Sequence, residues 1–242
     1  YADAIERCYR DGHKLNPREI AKEHFSLQQT GESMKYLLEK ITKKSTSTQR
    51  KVFVDLGGHL GETVRRFYRE VDDANEYEIY SFEPDLKTFK ILDAQCGHIK
   101  NVNLINAMAG KEDGLSSFYV GNANQNEGGT SLSGKITGAV NYEKPIMVET
   151  VNFVRWWRSN INKGDKVILK MNIEGGEYDI MQLLLDHDLT GDIESIFIQL
   201  HSHKFPQGEQ RQKFNKIEAD FYNKAKCRKF MTNKGDQPFN VK

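Results

Sequence analysis

The sequence predicts an α/β protein built on a mostly parallel sheet with helices on both faces, and three observations carry that expectation. From Lys51 onward, apolar runs of strand length alternate with segments of helical spacing. The connections between successive runs are long enough to hold a helix, as parallel pairing requires. Glycine or proline falls where runs end, in VFVDLGGHLGET, SFEPD and NIEGGE, so the chain turns sharply from strand into helix.

The 242 residues, 38% of them hydrophobic, suffice for one large α/β core or two small ones. Lysine plus arginine (35) and aspartate plus glutamate (34) nearly cancel, so no global field draws the chain to nucleic acid or anionic lipid, and no nucleic-acid partner is expected. Cys8, Cys96 and Cys227 are odd in number, far apart and outside any metal-ligand spacing, which predicts free thiols, no metal site and a reducing, cytoplasmic setting. No apolar run approaches the roughly 20 residues of a membrane span, and no signal-peptide pattern is present. Nothing in the sequence fixes the oligomeric state.

Residues 1–45 are highly charged with helical spacing, as at Met34, Leu37, Leu38 and Ile41, and run into the polar KKSTSTQRK; they predict a helical N-terminal extension and a linker before a domain over 46–242. The domain then reads VFVDL, helix ETVRRFYREV; EIYSFE, helix DLKTFKILDAQ; NVNLINA and a short SSFYV strand. The Gly/Asn-rich GNANQNEGGTSLSGKITG is too long for a simple connection and reads as a lid or acceptor wall around Gly128, Gly129, Thr130 and Ser131, or as an exposed loop. The alternation resumes with IMVETV, helix NFVRWWRSNI, strand KVILKMNI, helix EYDIMQLLLDH and strand SIFIQLH. An amphipathic helix near Glu209–Lys224 and a strand near CRKFM complete it. Trp156 and Trp157 offer stacking surfaces for a sugar or base, or belong to the core.

VFVDLGGHLGET fails the dinucleotide spacing because Leu56 stands where the first glycine is needed, and no Gly-Lys-Ser/Thr follows for a phosphate loop. What remains is D-x-G-x-x-x-G, with Asp55 at the strand end, Gly57, Gly58 and Gly61 in the turn and a helix after it. That loop suits S-adenosylmethionine, whose amino acid and ribose lie against backbone with no pyrophosphate to neutralise. Asp55 is then an acceptor for the ammonium end, and His59 a contact for the carboxylate or a cap of the following helix. Glu83 stands about 20 residues past the glycines, where an acid commonly takes two ribose hydroxyls. Pro84 ends that strand and opens the next helix. The bland alternative for each acid is a helix N-cap or a solvated strand end.

VFVDLGGHLGET, SFEPD, NLINAMAGKEDGLSSFYVG and LKMNIEGGEYDIM resemble, in order and approximate spacing over residues 50–201, the FkbM family of S-adenosylmethionine-dependent methyltransferases, whose last motif usually reads K-x-D-x-E-G-x-E. The resemblance implies a class I methyltransferase, Rossmann-like fold and O-methylation of a hydroxyl on a sugar, glycan or small metabolite. It implies cofactor roles for Asp55, Gly57, Gly61 and Glu83, places Asn106 and Ala107 beside the adenine, and sets Lys170, Asn172, Glu174 and Glu177 around the acceptor.

On its own terms, KMNIEGGE puts Lys170, Asn172 and Glu174 on one face, opposite Val167, Leu169, Met171 and Ile173. Polar groups on a central strand must reach a site or a partner, so a site or an internally satisfied Lys–Glu pair is expected. Gly175 and Gly176 allow a sharp turn at the carboxyl end of the sheet, and Glu177 opens the next helix at its positive end. Asn172 stands where the family usually has aspartate, so a base or metal ligand there is in question. Transfer to a hydroxyl needs a proton acceptor, and Glu174, His201 and His203 are the candidates. Two alternative readings are RNA 2'-O-methylation, which the balanced charge disfavours, and a degenerate cofactor-binding protein, which Asn172 favours.

Overall fold

The computed structural model describes residues 49–120, 129–132, 140–233 and 239. The expected extension over 1–45, Cys8, and Gly128 with most of its loop lie outside the described residues. The chain divides between Thr48 and Gln49, and all that follows concerns the second part.

In chain order the strands are β1 (Lys51–Leu56), β2 (Tyr77–Phe82), β3 (Val102–Ile105), β4 (Met108–Gly110), β5 (Gly114–Phe118), β6 (Ile146–Asn152), β7 (Lys166–Met171), β8 (Ile193–Gln199) and β9 (Arg228–Thr232). The helices are α1 (Glu62–Glu70), α2 (Leu86–Cys96), α3 (Phe153–Asn160), α4 (Glu177–Asp186) and α5 (Glu209–Lys224). Six strands form an all-parallel sheet in the order β3-β2-β1-β7-β8-β9. This is the doubly wound, Rossmann-like arrangement, with its order reversing between β1 and β7.

Strand periodicity divides the core in two. Val52, Val54, Leu56, Val167, Leu169 and Met171 face one way, against Trp157 of α3, Met181 and Leu184 of α4, and Phe221 of α5. Phe53 and Ile168 face the other, against Val64 and Phe67 of α1 and Leu92 and Cys96 of α2. Phe53 and Phe67 stack with ring centroids 4.1 Å apart. Helices therefore cover both faces, which is why β1 and β7 read as nearly continuous apolar runs.

β4, β5 and β6 leave the main alternation. They form a separate sheet, order β4-β6-β5, in which β4 pairs parallel and β5 antiparallel with β6. The sequence of β6, IMVETVN, alternates apolar and polar residues, and only Val148 and Thr150 are buried. A half-buried strand of this kind fits a small surface sheet rather than one covered on both sides.

Both tryptophans point inward. Trp157 is buried in the core, and Trp156 packs edge-on against Tyr80 and Phe82 at 5.1 and 5.0 Å. Cys96 and Cys227 are buried free thiols. No described helix is long and apolar enough to cross a membrane.

Candidate active site

Open α/β sheets bind ligands outside the carboxyl ends of their strands, where the order reverses. At that point, beyond β1 and β7, lies a cavity of about 710 Å³. Of the residues singled out in the sequence, Gly57, His59, Glu83, Pro84, Ala107, Gly129, Ser131, Lys170, Asn172, Glu174 and Gly176 line it. Asp55, Gly58, Gly61, Asn106 and His201 stand behind the wall.

The glycines serve the protein's own crowding as much as any ligand. Gly57 has φ +91°, and a Cβ there would lie 2.2 Å from the Asn172 carbonyl oxygen. At Gly58 a Cβ would meet Ser81 Oγ at 2.3 Å. The loop amides are spent internally. Those of Gly57 and Gly58 donate to Phe82 O, that of His59 to Glu83, that of Leu60 to Glu62, and that of Gly61 to Gly58 O. A turn with no amide to spare is not a phosphate cradle.

Asp55, the sequence candidate for accepting from a ligand ammonium directly or through water, is engaged within the protein. It is fully buried; Ser81 Oγ donates to its Oδ2 at 3.0 Å, and Lys170 Nζ lies 3.0 Å from its Oδ1. Lys170 donates also to the Gly57 carbonyl at 3.0 Å. Lys170 is thus held in an internal ion pair, with Asp55 and not a glutamate as its partner.

Glu83 ends the neighbouring strand differently. Its Oε2 accepts the His59 amide at 3.0 Å and its Oε1 the Asp85 amide at 2.9 Å. Burial outweighs those two donors and pushes its carboxyl up to about 7. Asn106, expected beside an adenine, donates through Nδ2 to the Glu83 and Pro84 carbonyls at 2.9 and 3.1 Å, holding this segment in place, while Ala107 next to it reaches the wall.

β7 ends at Met171, so Asn172 and Glu174 lie on the turn rather than on the strand. Glu174 sits at φ +53°, a conformation that costs a non-glycine residue of order 1–3 kcal/mol. Neighbouring groups hold it there. Thr130 Oγ1 donates to its carbonyl at 2.8 Å, and Lys204 Nζ donates to both carboxylate oxygens at 2.8 and 3.1 Å. His201, a sequence candidate for proton acceptor, is fully buried: Nδ1 lies 2.9 Å from Glu177 Oε1 and Nε2 lies 3.5 Å from Glu174 Oε1. It is not exposed to the cavity, and it ties α4 to the end of β8. His203 lies on the short turn that follows, and burial lowers its pKa. Glu177 is likewise fully buried, accepting from the Gly175 and His201 amides.

Sequence reasoning missed Lys204 and the pair Lys111–Asp179, 2.8 Å apart, which joins the β4–β5 turn to α4 at the cavity. KED at 111–113 did stand inside a quoted motif, but only the placement of the small sheet brings it to the wall.

The model of one sequence family, described as the methyltransferase FkbM domain, matches residues 55–237. Among curated proteins none matches. Among solved structures, the chain is similar to the crystal structure of methyltransferase FkbM from Methylobacillus flagellatus KT, with 12% identity and a TM-score of 0.38. That similarity covers 72% of this chain and spans 36% of the other.

Proposed function

The chain belongs to the FkbM methyltransferase family, and on that premise we propose that it is an S-adenosylmethionine-dependent O-methyltransferase acting on a hydroxyl of a sugar, glycan or other small metabolite. The observation that carries the cofactor assignment is Glu83: a buried carboxylate on the cavity wall, fixed by amides from two different turns. A carboxylate offers about four lone-pair sites, so two remain for the hydroxyls of a ribose. The glycine turn, its amides already spent, favours a ligand without phosphates.

Glu83 and the turn from Gly57 to His59 would hold the nucleoside and amino-acid portions, with Ala107 leaving room for the base. S-adenosylmethionine supplies an electrophilic methyl group whose former bonding pair remains on sulfur. Glu174 takes the hydroxyl proton of the acceptor near the moment of attack, and Asn172 orients that hydroxyl without adding charge. Glu177 and His201 brace the turn that presents Glu174.

Calorimetric titration with S-adenosylmethionine and its demethylated product tests the assignment. Micromolar binding supports it, and folded protein that binds neither ligand refutes it. A panel of sugars and hydroxylated metabolites, scanned by mass for a gain of one methylene unit, then tests O-methylation. RNA is the weaker acceptor because, among the described residues, the wall lysines Lys111 and Lys170 are both committed to ion pairs. A binding protein without chemistry is the second reading, favoured by Asn172 and by the Lys204 grip on Glu174; binding with no product across the panel would support it.

A further inference from the structure

The ion pair between Asp55 and Lys170 spans the point where the strand order reverses. The two residues are register partners on the parallel β1–β7 ladder, so their side chains leave the sheet on one face, side by side. Asp55 is fully buried and Lys170 is 4% exposed. The Lys170 ammonium reaches two acceptors, Asp55 Oδ1 and the Gly57 carbonyl, each at 3.0 Å. Two further contacts close the same junction: the Asn172 amide donates to Leu56 O at 3.1 Å, and Gly57 passes so near Asn172 that no Cβ fits between them.

We propose that Lys170 is a positioning residue for the cofactor turn, acting through the Gly57 carbonyl, rather than a group that works on the acceptor. This rests on the S-adenosylmethionine reading above. Asp55 supplies the countercharge that keeps a buried ammonium in place, and Lys170 uses that position to fix the first glycine of the turn. The ion pair has a stability role as well, because removing one partner strands a buried charge. The two roles separate in a double variant. Lys170→Met removes the donor to Gly57 and takes the lysine countercharge away from Asp55. Asp55→Asn with Lys170→Met removes both charges at nearly constant volume but still leaves the Gly57 carbonyl without its donor.

The experiment measures Tm and the Kd for the demethylated cofactor, S-adenosylhomocysteine, on the wild type, K170M and D55N/K170M. Lys170→Met is expected to lower Tm and weaken binding roughly 10- to 100-fold, the scale of one hydrogen bond from a charged donor. The double variant is expected to recover Tm while its affinity stays low. Amide exchange at Gly57 and Gly58 should be faster in both variants, with the sheet core unchanged. Wild-type affinity in the folded double variant, or affinity that recovers together with Tm, overturns the proposal. Failure of the wild type to bind overturns instead the cofactor reading beneath it.

Discussion

Lys204 Nζ stands 2.8 Å from one carboxylate oxygen of Glu174 and 3.1 Å from the other, so an ammonium from the segment after β8 aims the acid that the β7 turn presents to the cavity. The contact joins residues 30 apart in sequence on the turns beyond two neighbouring strands, and it gives Glu174 one orientation.

Glu174→Gln should lower the methyl-transfer rate by roughly 10²- to 10⁴-fold, the usual contribution of a positioned base, while cofactor affinity changes little. Lys204→Met should reduce the rate less, because the carboxylate remains but loses its fixed aim. Single-turnover rates at saturating cofactor check both. A Glu174→Gln enzyme as fast as wild type would remove the proposed proton acceptor.

Cofactor affinity should depend on pH through Glu83. Folding raises its carboxyl from 4.5 to about 7, chiefly by burial, so the folded chain holds that proton more tightly than the unfolded chain. Its contribution to stability is therefore greatest below pH 4.5 and declines as pH rises towards about 7. Ligand hydroxyls need the ionised form as acceptor. Affinity for S-adenosylhomocysteine should accordingly rise between about pH 6 and pH 8 and then level off. Glu83→Gln should bind more weakly at the upper end and show a flat profile, as calorimetry at several pH values can establish.

Gly57→Ala should be among the most damaging single-methyl changes. Its φ of +91° costs an alanine of order 1–3 kcal/mol, and the added Cβ must also displace the Asn172 carbonyl. Urea denaturation should show the loss of stability, and cofactor binding should fall with it because β1 and β7 must separate at their carboxyl ends.

Asn106→Ala removes two donated hydrogen bonds, to the carbonyls of Glu83 and Pro84, at a cost of about 1–2 kcal/mol. If Asn106 works by holding Glu83, the variant should lose cofactor affinity and keep the preference for higher pH. A purely adenine-contacting role would instead alter discrimination between adenosine and inosine analogues.

The α/β class, the strands that carry the site and the glycine turn were legible because strand burial and tight turns leave local marks. Continuous apolar runs in β1 and β7 signal cover on both faces, and Gly57 lies where no side chain fits. The wall positions of Glu83, Asn172 and Glu174 followed from the same strand ends. The alternation in β6 marked it as half-buried, but only its pairing with β4 and β5 places it in a second sheet.

Partnership was not legible. Sequence alone did not link Asp55 to Lys170, and it offered His201 as one candidate base among three; in the fold the first two answer each other and the third is enclosed between Glu174 and Glu177. Sequence fixed which residues could carry charge to the ends of the strands, because alternation along a strand is a local property. Tertiary structure decided which of those charges met a partner and which met the cavity, because that depends on strand order, register and the path of distant turns, and a buried charge is settled by whatever neighbour the fold delivers.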